Sequence, residues 1–291
     1  VNASVETVDS VEVVKPAKAV ESVKVSLPTT VWREKAESLL RASAATVTGF
    51  VLLLVVWHVI ASRVGEIPGP GPTFEAAVEL FGEPFYDNGP NDLGIGWNIL
   101  ASLGRVALGF LLAAAVGIPT GFAIGRFPLL NAIFAPIISL LRPVSPLAWL
   151  PLGLLLFQAA SPAAVWAIFI CSIWPIIINT ADGVKQIPQD YLNVARVLNL
   201  SEWKVFKTIL LPSVLPYLLT GVRLSIGTAW LVIVAAEMLT GGTGIGFWLW
   251  DEWNNLNVAN ILIGIFIIGV VGLILDAALL ALGRRYSHSE S

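Results

Sequence analysis

Three groups of residues carry chemistry into surroundings that are otherwise apolar. Arg223, Trp230 and Glu237 recur every seven residues within one apolar stretch, which places them on a single helical stripe. Gly221, Ser225, Gly227 and Thr228 lie beside that stripe and permit close approach of a second helix. Arg142 is followed by Ser145 and Trp149 at helical spacings, in a segment interrupted by Pro136, Pro143, Pro146 and Pro151. Arg105 is a third intramembrane cation, near the outer end of its stretch, where snorkelling or a structural role is the expectation. Charge inside a bilayer is costly, from ~2.5 kcal/mol upward for an Arg at a helix centre, so each of these residues needs a reason. One reason is chemical: a guanidinium matches a small planar oxyanion through paired hydrogen bonds, so Arg142 or Arg223 would line a weakly binding anion path. The other is structural: Arg223 or Arg105 pairs with Glu237 or Asp276 and holds helices in register. Both remain open at the level of sequence.

Other chemistries lack their residues. The chain has one cysteine, Cys171, and two histidines, His58 and His288, which excludes a disulfide framework and a multi-thiolate metal site and argues against a two-histidine one, leaving carboxylate sites open. No Gly-rich Lys-Ser/Thr phosphate loop and no Ser-His-Asp or Cys-His arrangement occurs. The chain is therefore not expected to hydrolyse ATP itself or to bind a cofactor. A net charge of −3 argues against a nucleic-acid partner.

The elements that hold these residues are membrane spans. Of 291 residues, 56% are hydrophobic and 13% charged, and mean hydropathy is +0.80. Soluble domains carry about 25% charged residues, so an ordinary soluble enzyme and a disordered protein are both excluded. Six apolar stretches, at 43–62, 99–125, 129–157, 163–181, 213–239 and 258–283, are each long enough to cross a bilayer as a helix. The third should be kinked or broken around 142–151 by its prolines. Arg142 lies 13 residues into it, roughly 20 Å along a helix and still within the bilayer.

Basic residues orient the spans. With both termini in the cytoplasm, 13 of the 17 Lys and Arg fall inside, and only Arg63 lies in an outside loop. That loop, 63–96, is acidic, with Glu66, Glu75, Glu79, Glu83, Asp87 and Asp92; a solvated face is the simpler reading and a partner dock the other. Its Pro68-Gly-Pro-Gly-Pro72 opening is expected to be non-helical, with Thr73 capping a short helix from Phe74 to Phe81. Residues 1–31 read as a disordered cytoplasmic tail, not a signal peptide. Residues 32–42 form either a helix on the membrane surface or a solvated lead-in to the first span. The membrane-spanning core then runs 43–285, with a cytoplasmic loop at 182–212 and a short tail at 286–291. Phe247, Trp248, Trp250 and Trp253 form an aromatic cluster near the outer face, by default an interface anchor.

The loop 182–212 is the most informative segment. Pro188 fits a helix start with Asp190 in the first turn, and Leu192, Ala195 and Leu198 repeat at helical spacing. Asn199 tolerates the left-handed conformation that ends a helix, and Ser201 can cap a second one with Trp203, Phe206, Ile209 and Leu210 on its apolar side. Two short helices joined by a tight turn would form a lever able to enter a groove on a soluble motor.

This segment resembles the Glu-Ala-Ala loop of ABC importer permeases. That pattern is Glu-Ala-Ala, three residues, Gly, nine residues, Ile, one residue, Leu-Pro. Here its positions are Asn193, Val194 and Ala195, then Asn199, then Ile209, Leu211 and Pro212, with the spacing kept in full. Asn193, Val194 and Asn199 replace the signature Glu, Ala and Gly, which leaves docking intact in shape but alters its polar contacts. Further segments are similar to the nitrate/nitrite, bicarbonate, cyanate and sulfonate permease group: Pro143-Val-Ser-Pro-Leu-Ala-Trp-Leu-Pro151, Ser172-Ile-Trp-Pro175, Ile187-Pro-Gln-Asp-Tyr191, Ala235-Ala-Glu-Met238 and Gly244-Ile-Gly-Phe-Trp-Leu-Trp-Asp-Glu-Trp-Asn254. The resemblance covers roughly 40–285 and implies an all-α, six-span permease of a type I ABC importer with the MetI-like fold. It implies a second copy of the permease, two cytoplasmic ATPase subunits that use ATP and Mg, a periplasmic or lipid-anchored binding protein, and a bacterial inner membrane. It implies that Asp190, Asn193, Val194, Ala195, Arg196, Leu198, Asn199, Leu200 and Ser201 meet the ATPase. The implied cargo is a small oxyanion, nitrate or nitrite first and bicarbonate next. The competing classes are an ion-gradient transporter, which predicts paired internal repeats or broken helices with ion ligands where the sequence shows no clear repeat and one strongly broken stretch, and a non-transporting scaffold, which explains the spans and not the loop spacing.

Overall fold

A computed structural model describes residues 29–89 and 92–287. The tail expected at 1–31 therefore lies outside the described residues up to residue 28, as does the end of the C-terminal tail from residue 288. Among the described residues the chain is helical and without strands. Eleven α-helices follow one another: α1 Thr29–Arg63, α2 Pro70–Leu80, α3 Ile95–Arg126, α4 Pro128–Leu141, α5 Leu150–Phe157, α6 Ala160–Lys185, α7 Gln189–Val197, α8 Glu202–Val205, α9 Leu211–Thr240, α10 Ile245–Asn254 and α11 Val258–Ser287. Two compact units divide the chain, Val1–Val56 and Trp57–Ser291. The described part of the first is helix α1, whose described side chains from Leu40 to Val56 are all exposed.

Five helical runs have the length and apolarity of a membrane span: Ser43–Arg63, Ile95–Arg126, Ala160–Lys185, Glu202–Thr240 and Val258–Ala281. A sixth is the bent pair Pro128–Leu141 and Pro146–Phe157, which turns through 95°. The break falls where the prolines of the third apolar stretch place it. Residues 142–145 leave the helix, and Pro146 starts a tight 3-10 turn to Trp149.

In the second unit, α6 is the central helix, packed between α3 and α9. Small residues set the approach on both sides. Along α3, Gly109, Ala113, Gly117, Gly121 and Gly125 recur every fourth position and face α6. A methyl group on Gly125 would sit 2.6 Å from Val184 Cβ and 2.7 Å from the Ala181 carbonyl, so only glycine admits this contact. On the opposite side, Gly221 of α9 lies against Pro175 and Asn179, and Ser225 donates a 2.7 Å hydrogen bond to the Ser172 carbonyl. Gly227 has open space around it.

Two local expectations are corrected. Pro70 and Pro72 are inside α2, whose N-cap is Gly69. The first turn of a helix has no intrahelical partner for its N–H groups, so proline is at home there. Thr73 is accordingly no cap; it is buried and donates its hydroxyl to the Gly69 carbonyl at 3.0 Å. The second helix of the loop 182–212 is also not short. Glu202–Val205 passes through a wide π turn at Phe206–Leu210 directly into α9, one run to Thr240. Pro212 offers no N–H and would crowd a regular turn before it; the widened turn lets the helix continue.

Candidate functional site

The loop between α6 and α9 forms a compact hairpin held by its own backbone. Pro188 caps α7 and Asp190 sits in the first turn. At the other end Asn199 adopts φ +48°. Its N–H donates to the Arg196 carbonyl at 3.0 Å, and the Leu200 N–H reaches back to Ala195 at 3.0 Å. These two bonds are the Schellman pattern that satisfies the last carbonyls of a helix. Ser201 follows at once, its hydroxyl accepting the Lys204 N–H at 3.4 Å to open α8. An αL residue and a Ser cap placed back to back therefore fix the turn between the two helices.

Leu192 and Ala195 are buried, in a cluster with Phe122 of α3, Val184 of α6, Ile187 just beyond it, Val205 of α8, Leu210 of the π turn and Val214 of α9. Phe206 packs edge-on against Phe122 at 5.0 Å, and Arg126 at the end of α3 lies 3.7 Å from Glu202. The hairpin is thus seated on the ends of the helices it follows. Its other face is open. Tyr191, Val194, Val197 and Leu198 are exposed, Val197 at 80%, and Trp203 lies stacked on Phe206 with Lys207 over its ring. Asp190, Asn193, Arg196, Asn199 and Ser201 are exposed as well, while Leu200, Ile209 and Pro212 are half-buried and Leu211 is exposed. Ala195 is the one fully buried residue of the docking set, and Leu200 packs half-buried against the same core cluster.

The intramembrane charges separate into different sites. Arg223 and Asp276 form a bidentate pair between α9 and α11, with Nε to Oδ1 at 2.5 Å and Nη2 to Oδ2 at 2.8 Å. Trp230 also faces α11 and donates its indole N–H to the Ile268 carbonyl at 2.9 Å. Glu237, next on the stripe, faces α3 instead. It is 1% exposed and bound by Arg105 Nη1 at 2.7 Å, Ser102 Oγ at 2.8 Å and the Gly246 N–H at 3.0 Å. Arg105 further donates to the Thr243 carbonyl at 2.5 Å and to Ser161 Oγ at 3.0 Å. Asn98 accepts the Gly244 N–H at 2.8 Å, and Ser102 accepts that of Ile245 at 2.9 Å. The result is a buried polar knot that ties α3, the start of α6, the end of α9 and the turn into α10.

Asn98, Ser102 and Thr243 were not singled out by sequence. The signal was there in part: Asn98, Ser102 and Arg105 follow helical spacing at the head of an otherwise apolar stretch. What they bind is a glycine turn 140 residues away, which no local pattern reveals. A methyl group on Gly244 would land in the Glu237 carboxylate, and one on Gly246 in the Val234 carbonyl.

Arg142 stands apart from both pairs. It caps α4 at the helix break, is exposed, and lines a cavity of about 570 Å³ between the ends of α3, α4 and α6. Ser145, also exposed, precedes the 3-10 turn, and Trp149 is half-buried with its indole N–H unpaired. The aromatic cluster of α10 divides too: Trp248 is buried, whereas Trp250 and Trp253 are exposed. Burial raises the pKa of Glu252 beside them, against hydrogen bonds from Asn260 and Asn257 that act to lower it. Among the described residues no group of His, Cys, Asp and Glu could hold a metal ion.

The model of the family described as "Binding-protein-dependent transport system inner membrane component" matches residues 91–288. The chain is 49% identical over 226 residues to the nitrate import permease protein NrtB of Synechocystis sp., covering 77% of this chain and 82% of that one. It is 47% identical over 264 residues to the bicarbonate transport system permease protein CmpB of Synechocystis sp., covering 89% and 92%. Among solved structures, the inward-facing MetNI methionine ABC transporter aligns with a TM-score of 0.56 at 14% identity, over 65% of this chain and 94% of that one. The chain therefore belongs to the binding-protein-dependent transport system inner membrane component family.

Proposed function

We propose that this chain is the membrane-spanning permease subunit of an ATP-driven importer for a small monovalent oxyanion, and that separate ATPase subunits drive it through α7. One observation carries the proposal: a helix fixed to the inner helix ends by Leu192 and Ala195 presents an unpartnered apolar face of Tyr191, Val194, Val197 and Leu198. An apolar patch on a rigid, polar-edged hairpin is what a docking surface needs. Two copies of the permease enclose the path, both termini face the cytoplasm, and a binding protein delivers the anion on the other side of the inner membrane. ATP and Mg act in the ATPase subunits; this chain supplies spans, levers and a path, with no covalent step.

Nitrate or nitrite is the cargo favoured by the Val144-Ser145-Pro146 resemblance. Bicarbonate is the second reading, and the broader coverage of the bicarbonate permease relative supports it. Replacing Val194, Val197 and Leu198 together with Asp tests the lever. These side chains do not enter the core, so the permease is expected to fold and insert while co-purification with the ATPase is lost. Retained association would refute the role of α7. Uptake by the reconstituted complex, with nitrate, nitrite and bicarbonate supplied in turn, decides the cargo.

A further inference from the structure

The cavity beside Arg142 has the composition of a binding site. Its α4 wall carries Asn131, Ala135, Ile138 and Arg142 at spacings of four, three and four, one face of a helix. Its α6 wall carries Asp182 and Lys185, whose charged groups are 3.7 Å apart. Ser139 adds a hydroxyl. Among the described residues no carboxylate pairs with Arg142. Two cations against one carboxylate leave the cavity with one uncompensated positive charge.

We propose that this cavity is a weak oxyanion site, in which Arg142 and Lys185 supply the positive charge that draws the anion, Ser139, three residues before Arg142, donates a hydrogen bond to it, and Asp182 competes with it for Lys185. The charge balance selects a monovalent anion. A guanidinium presents paired donors to a planar oxyanion, and an ammonium serves as a point charge on its other side. The volume, about 570 Å³, is that of a site for a much larger molecule. A small ion therefore keeps much of its water there, and binding is loose enough to permit release. Asp182 adds to that looseness because an arriving anion must displace it from Lys185. The transported ion and the phosphate of a lipid headgroup share this chemistry; that the transported ion is the occupant rests on the importer reading above.

Ala135→Cys places a thiol in the cavity wall, and the native Cys171 is buried and serves as the silent background. The probe is the rate of maleimide labelling of the assembled complex in phosphatidylcholine vesicles, as potassium nitrate or bicarbonate replaces gluconate at constant ionic strength. Labelling is expected to slow as either anion is added. Arg142→Gln or Lys185→Gln should raise the half-protecting concentration about fivefold, and Asp182→Asn should lower it by a similar factor. Protection that requires phosphatidylglycerol and ignores nitrate and bicarbonate supports the oxyanion site with a lipid phosphate as its occupant. Labelling that ignores the anions in both kinds of vesicle overturns the site. Uptake measured in the same vesicles keeps the two readings separate: uptake without protection sinks the site alone, whereas protection without uptake sinks the importer reading.

Discussion

The α7–α8 hairpin and the polar knot around Glu237 are built in opposite ways. The hairpin is local. Its turn is closed by bonds that span at most five residues, from Leu200 to Ala195 and from Lys204 to Ser201, and its outer face is left bare. The knot is long-range. Glu237 meets Ser102 and Arg105 across more than 130 residues of chain, and little of it reaches solvent. A surface meant to meet a partner keeps its own polar groups satisfied locally and its apolar groups free. A junction meant to hold helices does the reverse, and uses its buried charge for register. The two regions should accordingly fail in different ways.

The largest effect is expected at the knot. Arg105→Ala leaves Glu237 buried without its cation, a loss of about 3–5 kcal/mol for a broken buried pair. Thermal unfolding of the detergent-solubilised complex measures it, and Arg223→Ala should cost less because Asp276, at the protein surface, can be neutralised by a proton once its cation is gone, whereas Glu237 is enclosed. Equal losses would erase the distinction between a junction and a peripheral clasp. A smaller effect is expected at the hairpin turn. Asn199→Ala places an ordinary side chain at φ +48°, at a cost of about 1–2 kcal/mol. Asn199→Gly should be neutral or stabilising. Hydrogen exchange of the Leu200 amide reads this directly, faster in the alanine variant and unchanged in the glycine one.

The smallest effect concerns pH at α10. Glu252 has a folded-state pKa raised above 4.5 by burial. A raised carboxyl binds its proton more tightly in the folded state, so its contribution is full below 4.5 and fades as pH rises through the higher folded value. Thermal stability should fall over that window, and Glu252→Gln should flatten the fall. The hairpin supplies the contrast, since Asn199→Gly should not alter this pH profile.

Legibility followed the same division. The spans, the break after Leu141, the Asn199 stop and the Ser201 cap were all readable, because each depends on neighbours within one or two turns. The pairing alternative for Arg105, Arg223, Glu237 and Asp276 was readable as a possibility, but which cation meets which carboxylate depends on how three helices pack. Arg223, Trp230 and Glu237 share a stripe in sequence, yet the first two face α11 and the third faces α3. The glycine stripe on α3 took no part in the sequence reading, because its role depends on α6 lying against it. Pro70 and Pro72 misled because proline ends helices in their interior and starts them at their head.

The central claim, that α7 carries force from an ATPase into the spans, is tested most directly by a crosslink. Val197→Cys offers a thiol at the most exposed apolar position of α7. In the assembled complex, a short bifunctional thiol reagent should join it to a cysteine introduced in the helical groove of the ATPase subunit, and the link should block ATP-driven uptake. If Val197→Cys reacts freely with a bulky thiol reagent in the intact complex, forms no link and leaves uptake untouched, α7 is not the lever.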